Sequence, residues 1–241
     1  MISFCINLDK RLDRWEKIKK DFERNKIEVH RFPAQECLES PWQWCTLSHL
    51  WILKLATKEK WEYVCVFEDD ISFYSKRGFK DKLKKSLENI PPDWHILYLW
   101  GLMTRDAKLK KINDNIFMVK WVLCTYGIVY SKKSFYFLIK NLEEIIKQKD
   151  KRIDNFLAET YQLKNPCYIT SHLLVYEKND FSDIDKKKKG TKKKYEFRFF
   201  CFKYWMGGLL NLLWIIGDWL GISDKYRAQK NKNFASDKKS P

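Results

Sequence analysis

Short apolar runs alternate with helical periodicities through the first hundred residues. Residues 3–8 form a run of β-forming side chains and predict a strand. Asp9 follows as a helix N-cap, and Leu12, Trp15, Ile18 and Phe22 recur at helical spacing behind it. Residues 27–32 alternate as a strand that Pro33-Ala34 is expected to break. Thr46 reads as the N-cap of a second helix carrying Leu47, Leu50, Trp51 and Leu55. Residues 63–67 (Tyr-Val-Cys-Val-Phe) are a continuous apolar run of the length a buried parallel strand needs. Residues 95–99, 116–120 and 127–130 predict further strands. Ser131 is placed to cap a helix running towards Gln148, and residues 153–161 predict another short helix.

Strand alternating with helix argues for an α/β, doubly wound, mostly parallel sheet. Such sheets bind ligands beyond the carboxyl ends of their strands. The run at 63–67 ends in Glu68-Asp69-Asp70, three carboxylates at such an end. Their mutual repulsion would be relieved by a cation, and hard oxygen ligands suit Mg²⁺ or Mn²⁺, which can bridge a diphosphate. A solvated acidic turn is the plain alternative.

Charge divides the chain. The 241 residues carry 47 Lys+Arg against 31 Asp+Glu, a net +16. Residues 1–185 hold 32 basic and 27 acidic side chains, whereas 186–241 hold 15 and 4. The expected organisation is therefore a main α/β domain at 1–185 and a C-terminal extension at 186–241. Seven lysines crowd residues 186–194, and an apolar, Trp-rich stretch follows at 199–222 with only Lys203 and Asp218 charged. The uncharged part, residues 204–217, is shorter than the roughly 20 residues that a spanning helix requires. Basic flanks on both sides suit an amphipathic helix lying on an anionic membrane surface. A helix packed on the domain is the alternative. Seven scattered cysteines without a CxxC pair read as reduced thiols, most of them buried. The opening residues read as a strand with no basic segment before it, so a cytoplasmic chain is expected.

Several pieces occur in order along the chain: Ile6-Asn7-Leu8-Asp9 with Arg14, Phe32-Pro33-Ala34, Cys45-Thr46-Leu47-Ser48-His49 and Val66-Phe67-Glu68-Asp69-Asp70. Trp94-His95-Ile96-Leu97-Tyr98-Leu99, Thr125-Tyr126-Gly127, Ile153-Asp154-Asn155-Phe156 and Phe181-Ser182-Asp183-Ile184 follow. The ordered set resembles glycosyltransferase family 25, the lipooligosaccharide and procollagen galactosyltransferase group, over about residues 2 to 184. One departure is Trp44, which stands where the family usually has glycine.

The resemblance implies a GT-A-like (Rossmann-like) fold that uses a UDP-sugar and a divalent metal, Mn²⁺ or Mg²⁺. It implies donor contacts from Asn7, Arg14, Ser48, His49, Glu68 and Asp69. Asp70 would be the direct metal ligand, with Glu68 helping and His172 completing the set. Asp154 would be the catalytic base of an inverting transfer, which needs a carboxylate to take the acceptor hydroxyl's proton. From the residues alone, Arg14 reads more readily as a solvated helix-face arginine and His49 as a buried core residue. Asp154 reads equally as an acid favoured by a helix N-terminus. Ser48-His49 is expected in the first turn of its helix, where free N–H groups attract phosphate.

The function expected is hexose transfer, galactose foremost, to a lipid-linked oligosaccharide at the cytoplasmic face of a membrane. The rival is a catalytically inactive membrane- or nucleic-acid-binding module. The intact triplet and Asp154 speak against inactivity. Basicity beside a Trp-rich apolar stretch, without a nucleic-acid motif, favours lipid over nucleic acid. A phosphoesterase would want more histidine and carboxylate ligands than are visible.

Overall fold

The computed structural model describes residues 1–34, 41–74, 78–148, 151–172 and 174–178. The expected extension at 186–241 lies outside them, as do Cys37 and the motif at 181–184. An eight-stranded sheet runs through the described residues. Its strands are β1 (Ile2–Leu8), β2 (His30–Ala34), β3 (Tyr63–Glu68), β5 (Ile96–Tyr98), β6 (Leu102–Lys111), β7 (Ile116–Leu123), β8 (Gly127–Ser131) and β9 (Cys167–Thr170). They lie in the order β2-β1-β3-β8-β5-β9-β7-β6. A two-strand ribbon pairs β4 (Ile71–Phe73) with β10 (Val175–Glu177).

The α/β class matches the alternation in the sequence. β1 pairs in parallel with β2 and β3, and β5 with β9. Between these parallel groups β8 is inserted antiparallel to both β3 and β5. That reversal has a consequence for the site. It brings the residues just before β8 to the carboxyl end of β3, where the Glu68 N–H donates to the Tyr126 carbonyl at 3.0 Å.

Helices cover both faces. The helices are α1 (Leu12–Arg24), α2 (Pro41–Lys58), α3 (Phe79–Glu88), α4 (Lys132–Ile146) and α5 (Ile153–Phe156), which continues through a π-helical turn at Leu157–Tyr161 into α6 (Gln162–Lys164). The two-residue period of β1 and β3 decides which side chain meets which helix. Phe4, Ile6 and Leu8 with Val64 and Val66 join the core formed by Leu50, Leu53 and Ala56 of α2 and Leu138 and Leu142 of α4. On the opposite face Phe67 meets Phe22 of α1 at 5.2 Å between ring centres, and Phe73 and Phe79 at 6.2 Å. Each fully buried side chain of this size contributes about 1.5–3 kcal/mol. The five described cysteines at 5, 45, 65, 124 and 167 are buried free thiols, as expected of reduced sulfurs packed like small hydrophobes.

Two residues beyond both α1 and α2 stands a lysine in the left-handed region, Lys26 and Lys60, each with φ 57°. The next amide closes the turn: Ile27 N–H donates to Phe22 O at 2.9 Å, and Trp61 N–H to Ala56 O at 3.0 Å. The following apolar residue is thereby returned to the core.

Several local expectations are corrected. Pro33 does not end its strand. β2 is an edge strand, where a missing N–H leaves no ladder bond unmade. Asp9 caps nothing; a short 3₁₀ turn at Asp9–Arg11 precedes α1, and the Asp9 carboxylate takes Arg31 at 2.5 Å. Thr46 lies inside α2, its hydroxyl donating back to Trp42 O at 3.1 Å. Ser131 sits at the N-terminal boundary of α4, but its hydroxyl donates to Trp94 O at 2.6 Å. No described helix is long and apolar enough to cross a membrane.

Candidate functional site

Glu68, Asp69 and Asp70 leave β3 in different directions. Asp69 turns to the α1 face. Its Oδ1 accepts from Arg14 Nη1 at 3.1 Å and its Oδ2 from Asn7 Nδ2 at 2.6 Å. Asn7 lies on that face because it alternates with Ile6 and Leu8. It also donates to Arg11 O at 2.9 Å and accepts from Arg31 Nε at 2.8 Å. Arg14 shares the buried stripe of α1 with Ile18 and Phe22, four and eight residues on, and is only 7 % exposed. The solvated-arginine alternative is thus set aside. Burial, then the charge of Asp70, pushes the Asp69 carboxyl up to about 6, against the opposing pull of Arg14 and Asn7.

Glu68 turns to the other face, continuing the Val64–Val66 alternation. Thr125 Oγ1 donates to its Oε1 at 2.6 Å, and the Cys45 thiol approaches the same oxygen at 3.9 Å. Burial, and next the Glu68 charge, raise the Cys45 thiol well above its ordinary value; the charge of Asp154 adds to this. His49, one turn beyond Cys45 on α2, is fully buried, with Nδ1 3.0 Å from the Tyr130 hydroxyl. Burial pushes this imidazole down to about 3, so it is neutral at physiological pH.

Asp70 is buried between these two directions. Its carbonyl accepts from Lys178 N–H at 2.7 Å, which ties the turn to the end of β10. The register Ile71↔Glu177 sets another carboxylate on that ribbon. Tyr126, stacked on Trp100 at 5.4 Å, is raised chiefly by burial and further by the charges of Asp70, Glu177 and Glu68. Gly127 is needed because a Cβ there would lie 2.8 Å from Val175 Cγ2.

The other expected residues fall as follows. The Ser48-His49 pair does not occupy a first turn. α2 starts at Pro41, so these amides lie within the helix, and Ser48 Oγ donates to Trp44 O at 2.8 Å. Ser48 instead lines a cleft of about 290 Å³ with Phe32, Pro33, Trp44, Leu47 and Trp51. Trp44, the departure from the family pattern, forms part of its wall. Asp154 is in the first turn of α5, half-buried, its Oδ1 accepting from Asn155 N–H at 2.9 Å. His172 is exposed, its Nδ1 3.0 Å from Ser171 Oγ. Among the described residues it forms no three-ligand group with Glu68 and Asp70.

The sequence does not single out Cys45, Thr125, Tyr126 or Tyr130 as site residues. The four-residue spacing of Cys45 and His49 on a helix is a legible signal. Thr125 is marked only by the Thr125-Tyr126-Gly127 motif, and the antiparallel insertion of β8 carries it to Glu68.

Residues 43–153 match the family model of glycosyltransferase family 25 (LPS biosynthesis protein). The similarity to that family rests on this region. It spans a little under half of the chain, and agrees with the resemblance carried by the ordered motifs. The matched region includes Cys45, His49 and the whole triplet, and ends one residue before Asp154.

No curated protein matches the chain. One similar solved structure is a glycosyltransferase involved in the glycosylation of the major capsid of PBCV-1. It has 8 % identity and a TM-score of 0.45, covering 70 % of this chain and 81 % of that one. Another is A197 from STIV, at 12 % identity and TM-score 0.39, over 78 % and 92 %. A third is mannose-1-phosphate geranyltransferase from Thermus thermophilus, at 9 % identity and TM-score 0.42, over 69 % and 58 %. These are distant likenesses.

Proposed function

We propose that the chain transfers a hexose, galactose foremost, from a UDP-sugar to a lipooligosaccharide-type glycan, inverting the anomeric carbon with the help of Mn²⁺ or Mg²⁺. The observation that carries this reading is the family 25 match, which contains the acidic triplet at the carboxyl end of β3. In α/β sheets that edge is where ligands bind.

Asp70 fits a hard cation. Its carboxylate is buried, and its charge penalises that of the neighbouring Asp69. Such cations commonly take one or two carboxylates and fill their other positions with water and substrate phosphates. Bound at Asp70, the cation supplies charge neutralisation for the departing diphosphate. Asn7 and Arg14 position Asp69 and keep it ionised beside Asp70. Asp154 accepts the proton of the acceptor hydroxyl on a carboxylate oxygen. The cleft at Trp44, Ser48 and Trp51 offers flat apolar walls for a sugar or base ring. The Lys-rich and Trp-rich composition of residues 186–241 supports docking on an anionic cytoplasmic membrane surface, where a lipid-linked acceptor would be met.

The test is a panel of UDP-sugars incubated with the full chain, Mn²⁺ and a lipooligosaccharide acceptor. UDP-galactose is expected to turn over, and the turnover to stop in excess EDTA and in Asp70→Asn. Undiminished turnover in EDTA overturns the metal part, and turnover of no UDP-sugar overturns the donor. Sedimentation with anionic vesicles checks the membrane part, which ends if the protein stays in the supernatant.

A further inference from the structure

Cys45 and His49 project from one face of α2, and Glu68 meets them from the end of β3. One sulfur, one imidazole nitrogen and one carboxylate oxygen lie within 4.8 Å of one another there. We propose that these three side chains form a zinc site, different in chemistry from the hard-cation position at Asp70.

The donor set points to the metal. Thiolate, imidazole and carboxylate together suit zinc, whereas Mg²⁺ and Mn²⁺ prefer oxygen throughout. His49 supplies the second observation. The ring is fully buried, Nδ1 is engaged by the Tyr130 hydroxyl, and Nε2 has no hydrogen-bond partner among the described residues. A nitrogen held on one side by an outer hydrogen bond, with the other side available inside the protein, is how ligating histidines are commonly oriented. Glu68 is likewise oriented, by the hydroxyl of Thr125 at 2.6 Å.

Charge and geometry are both met. Zinc binding forms a Zn–S bond as the Cys45 thiol releases its proton to solvent. One thiolate, one carboxylate and a neutral imidazole then balance the divalent charge to zero, the cheapest state for a buried centre. Tetrahedral zinc with ordinary bond lengths holds its ligand atoms about 3.2–3.6 Å apart, so closure needs movements on the order of 1 Å. Three protein ligands leave the fourth position to a water. Such a centre would pin α2 to the end of β3, beside the triplet.

The experiment strips the full chain with a chelator, then titrates it with Zn²⁺ and separately with Co²⁺ as a coloured substitute. One retained equivalent is expected, with a near-ultraviolet thiolate-to-Co²⁺ band. Cys45→Ala should lose the band and lower zinc affinity by more than about 100-fold, and Tyr130→Phe should keep the band with a loss of about 10–100-fold. Asp70→Asn should change neither, which separates this site from the proposed catalytic cation. No zinc retention, a Co²⁺ complex without the thiolate band, or equal zinc affinity in Cys45→Ala would each overturn the proposal. If Cys45→Ala fails to fold by far-ultraviolet circular dichroism, Cys45→Ser takes its place with the same expected losses.

Discussion

The two sides of the acidic triplet are built from opposite materials. On the α1 side Asp69 is held by a guanidinium and an amide, Arg14 and Asn7, within hydrogen-bond distance. On the α2 side Glu68 meets the Thr125 hydroxyl, the Cys45 thiol and a neutral His49. Neighbouring carboxylates in one motif thus answer to different electrostatics. The first side carries its own counter-charge and reads as scaffold. The second gathers sulfur, nitrogen and oxygen donor atoms, and the charge of Asp154 is felt there at Cys45. Chemistry is expected on the second side and stability on the first.

Substitutions on each side can break that division. Asp154→Asn should lower the turnover number by roughly 10²–10⁴, while UDP-sugar affinity stays within a few-fold. Steady-state kinetics with separate donor-binding measurements decide it, because a parallel collapse of binding would move Asp154 from catalysis to structure. Arg14→Ala should act on the opposite quantity. Leaving Asp69 buried without its cation costs about 3–5 kcal/mol, read as a shifted urea midpoint at unchanged slope. Replacing the pair together, Arg14→Met with Asp69→Asn, should recover much of that loss. If Arg14→Ala melts like the wild type but no longer binds donor, the scaffold reading of this side is wrong. The smallest effect belongs to Gly127→Ala, whose methyl group would crowd Val175 at 2.8 Å and cost about 1–3 kcal/mol. Thermal unfolding measures it. The same change should loosen Thr125 from Glu68 and leave the Arg14–Asp69 pair intact.

Much of this arrangement was legible in residue order. The run at 63–67 and the carboxylates after it placed the triplet at a strand end, because a fully apolar strand followed at once by charge has few other homes. The ordered motifs pointed to the family that the region at 43–153 matches. Arg14 was less legible. Its four-residue spacing to Ile18 and Phe22 put it on the buried stripe, yet arginine at a helix surface is ordinarily solvated. Nothing nearby in sequence announced its partner, 55 residues away. His49 illustrates the converse. Its expected place in a first turn invited a phosphate-binding reading, but the helix begins earlier than Thr46 suggests, so its amide lies within the helix and is not among the free N–H groups that reading requires.

By itself, the sequence determined the α/β class, the apolar strands, the reduced and buried cysteines that the structure describes, and the acidic triplet at the end of β3. These follow from local periodicity and composition, which act over two to four residues and need no distant partner. Only the tertiary structure decided which face each carboxylate took and what met it there. The antiparallel insertion of β8 brought Thr125 to Glu68, the packing of α2 brought Cys45 and His49, and the burial of α1 brought Arg14 to Asp69. Those choices are long-range because a buried charge is tolerated only where the packed chain delivers a compensating group, wherever in the sequence that group resides.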